Sequence, residues 1–237
     1  MPTPAAIIQQ FAANGVAMIE WALLPADMLA LDTSFPVLPA GRAGARHTSE
    51  RFDDAALAAA HATLAAIAAD LQCAPVRLVR TIYFDKTPHA NWFVPWHQDR
   101  SIAVERRVEV PGFARWTIKD GAVHVEPPVA LLEAIVTLRV HLDACTETDG
   151  ALEVVPGSHR VGRLERPQFE QTIAQGLPLL CLAERGDILA MRPLLVHRSQ
   201  RASKPGHRRV LHLEYTAEDL PAGLAFATRT LSTVDPM

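Results

Sequence analysis

Between residues 134 and 142 the chain alternates. Val136, Leu138, Val140 and Leu142 fall on one side of an extended segment, and Thr137, Arg139 and His141 fall on the other. That period of two marks a strand with one face turned to a core. Shorter apolar runs repeat the theme at residues 76–84, 93–104, 151–155, 188–191 and 209–215, and residues 194–197 read as an extension of 188–191 past Pro193. Turn chemistry separates them, at residues 148–150 and at Pro156-Gly157-Ser158-His159.

The first third reads differently. Residues 4–14 favour a helix that Gly15 stops. Residues 16–21 form a short apolar run, and residues 25–31 a second helix with proline near its start. Residues 34–51 read as loop, and residues 55–71 as an Ala-rich helix capped by Asp53 or Asp54. Helices followed by many short strands predict a mainly β protein with flanking helices, a sandwich or barrel of the jelly-roll type. With no repeat and no linker, the chain is expected to be one domain: a mostly helical support over 1–75 and a β core over 76–216. Residues 106–128, with three prolines and two glycines, are read as a long loop that lids the site; a solvated basic loop is the alternative.

Composition narrows the class. The net charge of −3, with no Lys/Arg stripe, argues against a nucleic-acid partner. Cys73, Cys145 and Cys181 form no CxxC pair and no disulfide framework. No basic leader precedes an apolar run, and the most apolar window contains His61 and Asp70. Neither a signal peptide nor a membrane span is expected, and a cytoplasmic location follows by default. Nothing in the sequence sets an oligomeric state.

The chemistry starts at His97-Gln98-Asp99. An imidazole and a carboxylate two residues apart on an extended segment point the same way and make half of a metal site. His197, one hundred residues later, completes two histidines and one carboxylate, the facial set that holds non-haem Fe(II) and leaves positions open for small ligands. Eleven residues beyond it stands Arg208, with Arg209 adjacent. If the two segments pair as a hairpin, a guanidinium returns to the neighbourhood of His197 and can grip a carboxylate with two parallel bonds. Spacing alone leaves the choice between Arg208 and Arg209 open.

Three motifs in this order, His97-Gln98-Asp99, the stretch from Asp149-Gly150-Ala151-Leu152-Glu153 to Pro156-Gly157-Ser158-His159, and His197-Arg198-Ser199 with Arg208, resemble the phytanoyl-CoA dioxygenase family over about residues 76–215. The resemblance implies a double-stranded β-helix, a cupin-like jelly roll. It implies an Fe(II)- and 2-oxoglutarate-dependent oxygenase acting with O2 on a small molecule and releasing succinate and CO2. His97, Asp99 and His197 are then the iron ligands. Arg208 rather than Arg209 pairs with the distal carboxylate of 2-oxoglutarate, assisted by Ser199, and Asn91 is a further co-substrate contact. Related halogenases lack the carboxylate, so Asp99 points to hydroxylation or desaturation. The family's usual glycine after the distal histidine is Arg198 here, which puts the pocket wall in question. Arg139, His141 and Trp116 are candidate substrate contacts. A cupin-type metalloenzyme that does not use 2-oxoglutarate, or a non-catalytic sensor, is the competing reading; Arg208 with Ser199 disfavours the first and the intact ligand set the second.

Overall fold

The computed structural model describes residues 3–35, 37–38, 41, 44–47, 55, 57–119, 121–204 and 206–227. Its elements run α1 (Pro4–Asn14), β1 (Val16–Ile19), α2 (Pro25–Ser34), β2 (Gly44–His47), α3 (Ala58–Gln72), β3 (Arg77–Lys86), β4 (Val94–His97), β5 (Ile102–Val104), β6 (Ala114–Lys119), β7 (Ala122–Glu126), α4 (Val129–Glu133), β8 (Ile135–His141), β9 (Leu152–Val154), α5 (Arg166–Gln175), β10 (Leu179–Cys181), β11 (Ile188–Met191), β12 (His197–Ser199) and β13 (Arg208–Thr216). A major sheet of order β1-β11-β8-β13-β3-β2 and a minor sheet of order β10-β9-β12-β4 make the jelly roll, with a three-stranded sheet β5-β7-β6 beside them. The strands pair antiparallel throughout.

Period two decides where the core sits. On β8, Val136, Leu138 and Val140 pack into a cluster with Phe11, Leu31, Leu64 and Ala68 of the helices. Strand β13 adds Leu211, Leu213 and Tyr215 to that cluster. The helices therefore cover one face of the major sheet. The opposite face, carrying Arg139, His141, Arg208, His212 and Glu214, is also buried, and it looks towards the minor sheet. Burying each large apolar side chain on the helical face contributes about 1.5–3 kcal/mol, which offsets the cost of a charged interior on the other.

Helix α1 ends as its sequence requires: Gly15 adopts φ 69° and its N–H bonds the Phe11 carbonyl. Other expectations need correction. The run 106–128 is loop over residues 106–113, but beyond them β6 and β7 form a hairpin in which Lys119 pairs with Ala122. Val125 is fully buried in the small core beneath it, and the basic residues occupy the outer side. The Asp120-Gly121 dipeptide, which favours two-residue hairpin turns, was the available signal. The run 34–51 contains β2, paired to β3. Helix α3 begins at Ala58 with Leu57 at its cap; Asp53 and Asp54 lie outside the described residues. Residues 194–197 do not prolong β11. Leu195 N–H bonds the Arg192 carbonyl, so the chain turns at Pro193 and crosses to the minor sheet. Helix α5 and strand β10 carry no clear pattern in the sequence. Among the described residues no helix is long and apolar enough to cross a membrane.

Candidate metal centre

Strands β4 and β12 lie side by side with His97 directly opposite His197, and their rings sit 4.1 Å apart between centroids. Each imidazole is turned by its own backbone. His97 Nδ1 is 2.9 Å from the Pro95 carbonyl and His197 Nδ1 is 2.8 Å from the Leu195 carbonyl. Donation from Nδ1 to a carbonyl leaves Nε2 as the lone-pair nitrogen on both rings, the arrangement metal-binding histidines use. Asp99 follows the end of β4, held by its N–H on the Pro193 carbonyl at 2.8 Å. Its oxygens lie 3.8 Å from His97 Nε2 and 3.7 Å from His197 Nε2. One ligand atom from each of the three residues falls within 4.8 Å of the others.

Electrostatics agree with that geometry. Burial, then His97, pushes the His197 imidazole down to about 3, so it is neutral and available as a ligand. Burial works against ionisation of Asp99, but His197 and His97 outweigh it and hold the carboxyl well below the usual range. The side chains of His97 and Asp99 keep 35% and 33% of their surface reachable by water. They therefore face an open chamber rather than packed protein.

Gln98, between two of the candidate ligands, points the other way and ties three loops together. Its amide nitrogen donates to the Leu194 and Gly162 carbonyls at 2.7 and 2.9 Å, and its oxygen accepts from Leu164 N–H at 3.0 Å. Nothing in a bare tripeptide announces that role. Trp96 and Arg198 also lie on this outer side. Arg198 forms a two-pronged pair with Glu153 at 2.9 and 2.8 Å and stacks over Trp96. Arg198 is therefore not part of the chamber wall.

The second cluster gathers around the Gly150 carbonyl. It accepts from Ser199 Oγ at 2.9 Å and from Arg208 Nη1 at 2.6 Å. A Cβ at position 150 would collide with the Gln200 carbonyl oxygen, so this close approach requires glycine. Arg208 does not reach the site through a hairpin with β12, since the two strands belong to different sheets; it arrives from the opposing wall. Arg209 points outward, bonded to Asp143 at 2.6 and 2.9 Å. Lys86, opposite Arg208 in register, is buried and donates to Ser199 Oγ at 3.1 Å. Its burial makes it part of this cluster rather than a solvated charge.

The remaining polar and aromatic side chains divide between the chamber and the packing outside it. Both ends of the Asn91 amide are taken by the backbone of Ala202, at 2.9 and 2.7 Å, which makes Asn91 a clamp on that loop. Tyr83 packs against Phe35 on the helical side. Trp116 belongs to the small third sheet, where it meets Arg107, and the structure does not bring it to His97, Asp99 or His197. Trp92 packs on Phe84 and Lys86, at the chamber's inner face. Arg139 and His141 are both buried on that face. His212 bridges Arg139 Nη1 at 3.1 Å and Glu214 Oε1 at 3.3 Å, and Glu214 pairs with Arg80 at 2.9 Å.

The family model for phytanoyl-CoA dioxygenase (PhyH) matches residues 11–210. The chain belongs to the phytanoyl-CoA dioxygenase family. No curated protein matches it. Among solved structures, AviO1 from Streptomyces viridochromogenes Tue57 is 22% identical, with 93% of this chain and 98% of that one covered at a TM-score of 0.67. SnoN, an epimerase solved in complex with Fe3+, alpha ketoglutarate and nogalamycin RO, is 16% identical over 99% and 95% at 0.65. EctD from S. alaskensis, solved with 2-oxoglutarate and 5-hydroxyectoine, is 18% identical over 89% and 74% at 0.62. At these identities the likeness speaks for the jelly-roll fold.

Proposed function

We propose that this member of the family is a non-haem Fe(II)- and 2-oxoglutarate-dependent dioxygenase, a single oxygenase domain that hydroxylates an unactivated C–H bond of a small molecule. The observation that carries the reading is the convergence of His97 Nε2, His197 Nε2 and the Asp99 carboxylate within 4.8 Å, with Arg208 and Ser199 buried nearby. Proteins of the same fold solved with Fe3+ and alpha ketoglutarate, with bound Fe, and with 2-oxoglutarate support the assignment.

The donor set fits the metal. Two neutral imidazoles and one carboxylate on one side of an ion suit Fe(II) and leave positions for further ligands. When bound, iron with 2-oxoglutarate and O2 supplies the oxidation, releasing succinate and CO2 as a substrate carbon gains a hydroxyl. The chain's part is positional. His97 and His197 hold the ion with nitrogens whose direction the Pro95 and Leu195 carbonyls set. Arg208, with Ser199 and Lys86 beside it, receives the distal carboxylate of the co-substrate. Asp99 fills the third ligand position, which supports hydroxylation over halogenation.

Anaerobic mixing of the protein with Fe(II) and 2-oxoglutarate is expected to give the visible charge-transfer absorption of the chelate. Admitting O2 is expected to give succinate, faster with a substrate present. Failure to form the absorption band overturns this reading.

A further inference from the structure

The inner face of the major sheet holds more positive charge than the metal chemistry uses. Lys86, Arg139 and Arg208 are buried there, and among the described residues no carboxylate pairs with any of them. The one carboxylate on β13 that faces inward, Glu214, is already matched by Arg80 at 2.9 Å and by His212 at 3.3 Å. In the function proposed above, the divalent ion, Asp99 and a dianionic co-substrate account for each other and for Arg208. Lys86 can shed its charge near neutrality, because burial and then Arg208 push it down to about 7. Arg139 cannot. Burial and then Arg208 pull it only to about 10, so it remains a cation. Asp99 offsets part of that charge from a distance, but a buried guanidinium with no carboxylate in contact is unfavourable.

Arg139 is also built to receive something. The run Arg80–Glu214–His212–Arg139 is a chain of contacts at 2.9, 3.3 and 3.1 Å that braces one Nη atom from behind. Arg139 Nε and both ring nitrogens of His141 are buried with no partner. His141 stands two residues along the same strand on the same face, opposite Val210, while Arg139 stands opposite His212. Arg208 lies four residues before His212 on β13. The two guanidinium groups feel each other's charge, but they are held differently: Arg208 Nη1 is bonded to the Gly150 carbonyl at 2.6 Å, whereas Arg139 Nη1 leans on His212 at 3.1 Å and its Nε faces His141's side of the wall unpaired.

We propose that Arg139 and His141 anchor the substrate and that the substrate is a small molecule carrying a carboxylate. The guanidinium fork takes the carboxylate and the neutral His141 adds one N–H donor. The inference rests on the function proposed above and names the substrate class for that site.

Matched acids and primary amides test it: 4-methylpentanoate against 4-methylpentanamide, and phenylacetate against phenylacetamide. Each is titrated calorimetrically into the anaerobic Fe(II)·2-oxoglutarate protein. At least one acid is expected to bind tenfold or more tightly than its amide. Arg139→Gln is expected to remove that preference while changing 2-oxoglutarate affinity less than threefold. Arg139→Lys keeps the charge and retains part of the preference, and His141→Asn lowers it three- to tenfold. Equal binding of acid and amide, no binding by either acid, or a preference untouched by both Arg139→Gln and His141→Asn overturns the proposal. So does a tenfold loss of 2-oxoglutarate affinity in Arg139→Gln, which would assign Arg139 to the co-substrate. Absence of the chelate band overturns the parent reading as well, whereas a normal band without an acid preference overturns this inference alone.

Discussion

Across the chamber from His97 and His197, whose Nδ1 atoms rest on carbonyls at 2.9 and 2.8 Å, Arg139 and Arg208 each hold a buried Nε that meets nothing, and His141 holds two such nitrogens. The minor-sheet wall is finished by its own backbone. Each of the two histidine rings is oriented by a carbonyl two residues before it, and Asp99 by the chain at Pro193. The major-sheet wall is braced from behind but left open in front. A metal needs fixed directions before it arrives, whereas anions bring the acceptors that unpaired donors lack. One wall is complete as folded, and the other is completed by ligands.

The comparison breaks most visibly at the metal. His97→Ala and His197→Ala are each expected to weaken Fe(II) binding by more than a hundredfold, measured by anaerobic metal titration, because a two-ligand remnant holds iron poorly. Retention of iron by both variants would refute the finished wall. A smaller effect is expected on the open wall. Arg208→Ala should weaken 2-oxoglutarate binding by about one to two orders of magnitude, as loss of a charge-assisted pair worth roughly 1.5–3 kcal/mol implies, with Fe(II) affinity within threefold. Arg209→Ala, which faces Asp143, should leave co-substrate affinity unchanged; the reverse pattern would mean the inward face of β13 has been misassigned.

The smallest effect is on stability. Burial, then Arg139 and Arg208, pushes His141 down to about 3, whereas an unfolded histidine titrates near 6.5. Between those values the unfolded chain binds the extra proton, so stability rises with pH and is lost as pH falls from about 6.5 towards 3. The slope for one such group approaches about 1.4 kcal/mol per pH unit. Urea midpoints of the metal-free protein at pH 7, 6 and 5 should fall more steeply for the native chain than for His141→Asn. Equal slopes would show that His141 is not held neutral by the open wall.

Much of this was legible before the structure. The alternation on β8 separated Val136, Leu138 and Val140 from Arg139 and His141, and the helix stop at Gly15 was read from one residue, because both are consequences of local backbone geometry. The pairing of His97 with Asp99 on one side of a strand belongs to the same class. Arg208 was separable from Arg209 only by family resemblance. Other features were not legible. The stretch 106–128 passed for a loop because charged residues cover the outer face of a hairpin whose inner face is short. The burial of Lys86 was not legible because it depends on Ser199 and Arg208, each more than a hundred residues away. Asn91 lay beside the metal motif in sequence, yet its amide is spent on Ala202.

By itself the sequence determined which side chains share a face, since the strand period of two is a property of the backbone. That was enough to pair His97 with Asp99 as candidate ligands; His197 came from spacing, and the choice of Arg208 from family resemblance. Only the tertiary structure decided which faces look at one another. It brought β4 and β12 together so that two histidines a hundred residues apart became neighbours, and sent Arg198 outward and Arg208 inward. It also buried Lys86, Arg139 and Arg208 on one wall with no carboxylate among the described residues to pair with them. Charge balance is a property of a volume rather than of a strand, so it emerges only once the sheets enclose the chamber.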